Sequence, residues 1–124
     1  MTQNEKELLL KDLCCRLPYG VKVLYKENIY RISDVSINNK TITICGETGY
    51  PIEVEIQKVK HYLLSDSSMN MDQRIEYCKT LVIFSESHCS QTHETYDWLN
   101  KNHFDYRGLI PMSLALDATG INIY

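Results

Sequence analysis

The first 20 residues carry the hydrophobic spacing of an amphipathic helix. Apolar residues recur at intervals of three and four, at Leu9, Leu10, Leu13, Cys14 and Leu17. Thr2 and Glu5 have the spacing of a capping box, in which each residue satisfies a free backbone N–H of the first turn. Pro18 and Gly20 stop the helix. The pattern therefore predicts an N-terminal helix within residues 1–20.

From residue 21 to residue 60 the hydrophobic period changes to two, which predicts a β unit. Segments 21–26, 29–37, 41–45 and 52–57 alternate or are β-branched. Turn residues separate them: Glu27 with Asn28, Asn38 with Asn39, and residues 46–49 with a glycine at each end. We expect a four-stranded antiparallel unit that forms a small SH3-like barrel or a curled meander, because an open meander leaves its edges unprotected.

Residues 66–124 form the helical part of the same domain and end in an arm. Asn70 and Gln73 have capping-box spacing, and an apolar stripe predicts a helix from there to about Ser85, followed by a polar loop over 86–91. Gln91 or Thr92 caps a third helix that carries Tyr96, Trp98, Leu99 and Phe104 and breaks at Gly108. The last 16 residues predict a docked extended arm. The fold class is α+β, in one domain over residues 1–124.

Composition and charge exclude several classes of protein. The 124 residues are 44% hydrophobic and 23% charged, which is typical of one globular domain. Thirteen Lys and Arg against 16 Asp and Glu give a net charge of −3, so nucleic acid is an improbable partner. The sequence lacks a long apolar run and a secretory signal, so we expect a cytoplasmic protein with no membrane partner. No motif indicates a cofactor.

The cysteines and histidines offer only weak candidates for metal binding or catalysis. Five cysteines at irregular spacing predict reduced thiols rather than a disulfide framework. The segment 88–94 holds two His, one Cys and one Glu, but its spacing matches no zinc motif and favours an exposed loop. Cys89 with His88, or Ser90 with His93, would suit a nucleophile and its base only if the fold brought them together. We therefore assign no catalytic residue and no metal ligand.

The densest chemistry lies near the end of the chain, where rings, carboxylates and a guanidinium occur within a dozen residues. Nine Tyr against two Phe and one Trp favour rings with one wet edge, which suit ligand pockets and interfaces. The candidate ligand-binding residues are Tyr96, Trp98, Asn100, Asp105, Tyr106 and Arg107. The alternative is a core helix in which Asp105 and Arg107 pair with each other.

Several blocks of the sequence together resemble one family. They are Leu17-Pro18-Tyr19-Gly20-Val21, Lys60 with Tyr62-Leu63, Ser67-Ser68-Met69, Tyr96-Asp97-Trp98-Leu99-Asn100 and Phe104-Asp105-Tyr106-Arg107-Gly108-Leu109-Ile110. The family is a set of uncharacterised small proteins from phages, prophages and mobile elements of gut Bacteroides. The chain differs from the usual pattern at His61, Leu64 and residues 111–113.

The resemblance implies an accessory protein that counters host defence by binding. The first hypothesis is an oligomer that sequesters a nucleotide-derived immune signal, with Tyr and Trp stacking on the base and Arg107, Lys58 or Lys60 contacting phosphates. The second is a factor that binds a host or viral protein through the C-terminal arm and an exposed strand edge. The third is a small hydrolase of a nucleotide signal that uses His88 or His93. The apolar tail and the strand edges predict a homo-oligomer.

Overall fold

The computed structural model of the protein describes residues 1–46, 49–85 and 88–124. Within these residues it is an α+β structure with an N-terminal helix, a mostly antiparallel sheet and two further helices. The helices are α1 (Gln3–Arg16), α2 (Met71–Lys79) and α3 (His93–Lys101). The strands are β1 (Lys22–Tyr25), β2 (Asn28–Ser36), β3 (Thr41–Cys45), β4 (Pro51–Glu55), β5 (Lys60–Leu63), β6 (Val82–Ser85), β7 (His88–Ser90) and β8 (Ala115–Asp117).

Helix α1 begins with the predicted capping box. Thr2 Oγ1 accepts a hydrogen bond from Glu5 N, and Glu5 Oε1 accepts one from Thr2 N, both at 3.1 Å. The leucine stripe lies in the core: Leu9, Leu10 and Leu13 are at most 5% exposed. They pack with apolar residues of the sheet, so α1 covers one face of it.

The main sheet has six strands in the order β4-β3-β2-β1-β5-β8. Strands β1 to β4 form the predicted antiparallel meander, and β5 and β8 extend it beyond β1. Strand β8 pairs with β5 in parallel, so the C-terminal arm is partly a strand. Neither added strand was predicted, because four and three residues are too few to show a period.

Two of the predicted turns are displaced. Asn28 pairs with Tyr25 inside the ladder, so Lys26 and Glu27 form the two-residue turn, with φ of 47° and 66°. A turn of this kind matches the twist of the strands because both central residues have positive φ. After β2 the positive φ is at Lys40 (54°) rather than at an asparagine. In the third turn Gly49 N donates to Gly46 O at 3.1 Å, while Glu47 and Thr48 lie outside the described residues.

The second helix is shorter than predicted. It has the predicted capping box between Asn70 and Gln73 but ends at Lys79. The carbonyl of Thr80 accepts hydrogen bonds from the hydroxyls of Thr92 (2.9 Å) and Thr95 (3.0 Å), which satisfy it outside the helix. The chain then forms a hairpin of β6 and β7 where a helix and a polar loop were expected. Glu86 and Ser87 of that loop lie outside the described residues.

The third helix is capped by Thr92, one of the two predicted residues. It ends at Lys101, before Phe104, so the predicted break at Gly108 is wrong. His103 follows the helix with φ of 66° and takes the left-handed position that commonly ends a helix. Phe104 is fully buried beyond the helix. Residues further along the arm, Leu109, Leu114, Ala115 and Ala118, are buried in this chain's own core.

Candidate functional site

The densest predicted chemistry lines a cleft between α1, α3 and the segment that follows α3. We call it the Tyr106 cleft. Its volume is about 550 Å³, which is within the usual range for small-molecule sites. The residues that line it are Lys11, Cys15, Gln91, His93, Tyr96, Asp97, Asn100, Tyr106 and Arg107.

Four of the predicted ligand-binding residues meet in this cleft. They are Tyr96 and Asn100 on α3, and Tyr106 and Arg107 just beyond it. The first two lie four residues apart and therefore share a helix face. Tyr106 contacts both residues of α3: its hydroxyl donates to Asn100 Oδ1 at 3.1 Å, and the centroid of its ring lies 5.2 Å from that of Tyr96.

Beneath the cleft, one fully buried carboxylate organises three basic side chains. Asp12 on α1 is 0% exposed. Its Oδ2 accepts hydrogen bonds from Arg16 Nε at 2.9 Å and His61 Nε2 at 2.7 Å, and its Oδ1 accepts one from Arg107 Nε at 3.0 Å. A buried carboxylate is stable only with such partners. The cluster ties α1 to β5 and to the segment after α3.

The partners decide the ionisation of this cluster. Burial acts to raise the pKa of Asp12, but the hydrogen bond from His61 and the positive charge of Arg16 outweigh it and lower the pKa below 3.8. Burial likewise acts to lower the pKa of Arg107, and the hydrogen bond to Cys15 with the charge of Asp12 raises it instead. Asp12 therefore stays ionised near neutral pH, and Arg107 stays charged beside it.

Arg107 retains hydrogen-bonding capacity at the cleft. Its Nη2 donates to Tyr106 Oη at 3.0 Å and contacts Cys15 Sγ at 3.5 Å. Among the residues that the structure describes, Nη1 of Arg107 has no partner, and the side chain is 15% exposed. A guanidinium held in place by a buried carboxylate, with donors to spare, can bind an anion at little entropic cost.

Tyr106 lies against two guanidinium groups. The Cζ atoms of Arg107 and Arg16 are 4.7 Å and 5.2 Å from its ring centroid, within the range of cation–π attraction. Burial raises the pKa of Tyr106, and the charge of Arg107 opposes that shift. The hydroxyl therefore stays protonated near neutral pH and serves as a hydrogen-bonding group of the cleft.

Trp98 and Asp105 lie outside the lining of this cleft. The Trp98 ring stacks on Phe104 with a centroid distance of 5.6 Å, and its Nε1 donates to Glu76 Oε2 at 3.2 Å. The carboxylate of Asp105 accepts hydrogen bonds from Leu109 N and Ile110 N, both at 2.9 Å. Both side chains already hold structural contacts. The alternative in which Asp105 pairs with Arg107 is wrong, because Arg107 pairs with Asp12.

The two predicted lysines also lie away from the cleft. Lys58 is exposed at the end of a short 3₁₀ turn before β5, and Lys60 is exposed at the first position of β5. Successive side chains of a strand point to opposite faces. Because His61 reaches Asp12 on the α1 side, Lys60 points to the other side of the sheet.

Sequence reasoning missed the basis of the site, which is the Asp12 cluster. Asp12 and Arg16 stand four residues apart on a predicted helix, a spacing that commonly forms an ion pair, and this signal was readable. The third and fourth members, His61 and Arg107, lie 49 and 95 residues from Asp12. Only the fold could reveal those contacts.

Metal ligation and membrane crossing find no support in the described part of the chain. Across residues 1–46, 49–85 and 88–124, no group of three or more His, Cys, Asp or Glu is placed to hold a metal ion. All five cysteines are free thiols. Over the same ranges, no helix has the length and apolar character needed to cross a membrane.

Comparison with known proteins adds no family to this description. No protein-family model, curated protein sequence or solved structure matches the chain.

Proposed function

We propose that this protein binds a small anionic ligand of the nucleotide type in the Tyr106 cleft, without converting it. The observation that supports this most directly is the position of Arg107. The buried carboxylate of Asp12 holds its guanidinium at the cleft, and Nη1 has no partner among the described residues. Lys11 lines the same cleft and adds a second positive charge. Phosphate groups are bound by such cations through charge-assisted hydrogen bonds.

An aromatic base has a surface to stack on in the same cleft. Tyr96 is 40% exposed, so part of its ring is open to a ligand, whereas Tyr106 already contacts two guanidinium groups. Asn100 offers an amide for the edge of a base. In the phage-like setting that the resemblance implies, this binding sequesters a nucleotide-derived immune signal of the host.

The proposal is tested by titrating the purified protein with nucleoside monophosphates and cyclic dinucleotides. Calorimetry measures the affinity, and native mass spectrometry detects the complex. We expect Tyr96→Ala to weaken binding about tenfold, since base stacking contributes roughly 1–3 kcal/mol. The matched control is Tyr50→Ala, which removes a ring that is 78% exposed just before β4 and does not line the cleft. Lys11→Gln should also weaken binding, and Lys101→Gln on α3 should not. Equal affinities in all four variants would contradict the proposal.

The fate of the ligand separates binding from hydrolysis. Recovery of the intact nucleotide after heat release supports sequestration. Consumption of the nucleotide, with loss of turnover in His93→Ala but not in His88→Ala, favours the hydrolase hypothesis, because His93 lines the cleft.

A protein-binding accessory factor is the second candidate, and exposed apolar side chains favour it. Met71 on α2 and Ile83 on β6 are each 72% exposed, and Ile75 is 48% exposed. Met71 and Ile75 lie four residues apart and share a face of α2, and contiguous exposed apolar surface marks protein interaction sites. Affinity capture with native protein and with Ile83→Ser tests this candidate: a stoichiometric host or viral partner that only the native protein retains supports it.

Two structural expectations remain part of the proposal. The apolar tail predicts a homo-oligomer. Light scattering measures the molar mass in solution, and the mass of a monomer would contradict this expectation. The SH3-like curl of β1 to β4 stays a prediction, and long-range contacts between β1 and β4 in solution would support it.

A further inference from the structure

A second basic site lies on the face of the sheet that points away from α1. Val23 and Ile32 face the α1 side and are buried in the core. Their neighbours Lys22 and Arg31 therefore point to the opposite face. Lys22 is the register partner of Arg31 across β1 and β2, and Arg31 is the partner of Cys45 across β2 and β3. The two cations thus stand side by side on one face.

This pair of cations is unfavourable for the isolated protein. Like charges directly opposite each other on neighbouring strands are destabilising. The chain has 16 acidic residues, yet no described carboxylate lies within ion-pair distance of Arg31 or Lys22. Lys22 Nζ donates to the carbonyl of Ile123 at 2.6 Å. Among described residues the guanidinium of Arg31 has no hydrogen-bond partner.

The cations border a groove with apolar walls, which we call the outer groove. Its volume is about 610 Å³, and its walls include Ile29, Cys45 and Ile123. Ile29 lies two residues before Arg31 and therefore shares its face of β2. The groove therefore combines unpaired positive charge with an apolar surface.

We propose that the outer groove binds an oxyanion, a carboxylate or a phosphate, carried on an apolar body. Arg31 provides the planar, paired donors that such anions accept, and Lys22 adds charge beside it. Ile29 and Ile123 contact the apolar part. This site is distinct from the Tyr106 cleft, because the two share no lining residue.

The test is an amide NMR titration of the full chain with three probes of similar shape: phenyl phosphate, benzoate and uncharged benzamide. We expect phenyl phosphate or benzoate to shift the amides of Lys22, Arg31 and Cys45 at millimolar concentration, and benzamide to leave them unchanged. Arg31→Gln should weaken binding by about tenfold, as the loss of a charged hydrogen bond does. Arg74→Gln, which removes an exposed arginine on α2, is the matched control and should retain native affinity.

Each result decides for or against the site. Native-like spectra of Arg31→Gln, expected for an exposed position, ensure that lost binding is not lost folding. Equal affinity of Arg31→Gln and the native chain overturns the proposal, and so does equal binding of benzamide. Shifts confined to residues 91–107, or no shifts at all, also overturn it.

Discussion

Helices α1 and α2 begin in the same way and lie in different environments. Each has a complete capping box at its N-terminus, from Thr2 with Glu5 and from Asn70 with Gln73. Helix α1 buries five residues, including Asp12 and the leucine stripe, whereas α2 buries none. The caps are local and depend on four residues of sequence. Burial requires a partner surface, and only α1 has the sheet.

This difference divides the molecule into a packed part and an exposed part. The packed part comprises α1, the six-stranded sheet and the residues around the Asp12 cluster. The exposed part comprises α2 and the β6–β7 hairpin, whose residues are nearly all exposed or half-buried where described. Segments with few buried contacts open locally at low free energy. Arg107 is bonded to the buried carboxylate of Asp12 on α1, so its wall of the Tyr106 cleft belongs to the packed part.

The largest effect is expected from Asp12→Asn. The substitution leaves Arg16 and Arg107 without their buried counter-charge, and removing one partner of a buried ion pair costs about 3–5 kcal/mol. Urea denaturation measures the loss in the free energy of unfolding. The matched change on the exposed helix, Asp72→Asn, should cost less than about 1 kcal/mol, the usual helix-dipole contribution. Similar losses in the two variants would remove the distinction between the helices.

Truncation of one apolar residue on α1 and of one on α2 tests the difference in burial between these two helices. Leu13 is 1% exposed and Ile75 is 48% exposed. Leu13→Ala should lower the free energy of unfolding by about 2–5 kcal/mol, because it leaves a cavity in the core. Ile75→Ala should change it by less than about 0.5 kcal/mol. Thermal and urea unfolding of both variants check this, and a large loss for Ile75→Ala would show that α2 packs against something in solution.

A moderate effect is expected on lowering the pH, and it should arise in the packed part. Burial, with the charges of Arg16 and Lys22, lowers the pKa of His103 from 6.5 to about 4. The unfolded chain therefore binds a proton that the folded chain excludes, so stability falls as the pH decreases from 6.5 towards 4. The hydrogen bond from His61 and the charge of Arg16 lower the pKa of Asp12, so the stability that its ionised form provides is lost towards lower pH.

The control for the pH effect is His103→Asn, because asparagine tolerates the positive φ of this position. The variant should lose the slope of stability between pH 6.5 and 4. At about pH 8 the imidazole is neutral in both the folded and the unfolded state. The free energy of unfolding measured there gives the cost of losing the ring stack between His103 and Tyr124, separately from the pH effect. A slope that survives the substitution would assign the titration to another group.

The smallest effects are expected at the caps. Thr2→Ala and Asn70→Ala each remove a capping oxygen, which costs about 1 kcal/mol where the helix is part of the cooperative core. We expect that cost in global unfolding for Thr2→Ala. For Asn70→Ala we expect faster hydrogen exchange within α2 and little change in global stability, since α2 opens locally. Equal losses in the free energy of global unfolding for the two variants would show that α1 and α2 unfold as one cooperative unit.

Much of the fold was predictable, because its signals are local. The helix starts at Thr2, Asn70 and Thr92 are confirmed, and the meander of β1 to β4 follows its period-two pattern. The β6–β7 hairpin was missed because Leu81 and Val82 continue a helical spacing. Beyond the end of α2, the carbonyl of Thr80 accepts hydrogen bonds from the hydroxyls of Thr92 and Thr95, which are contacts that the sequence pattern does not reveal.

The candidate site was predictable in part. The concentration of rings and charge near the chain end indicated Tyr96, Asn100, Tyr106 and Arg107, which share one cleft. Trp98 and Asp105 carry the same chemistry in the sequence, yet they are engaged with Phe104 and with backbone amides. Residue type indicates which chemistry is available. Which side of an element a residue occupies, and what it meets there, depends on packing.

The sequence by itself determined the capped helices, the antiparallel meander and the charge balance, because each depends on residues a few positions apart. Only the tertiary structure decided that β5 and β8 complete the sheet and that Asp12 gathers Arg16, His61 and Arg107. It likewise set Lys22 beside Arg31 on the opposite face. Such contacts join residues far apart in the chain, and the free energy that fixes them comes from burial and from charge pairing at low dielectric, which no short window of sequence contains.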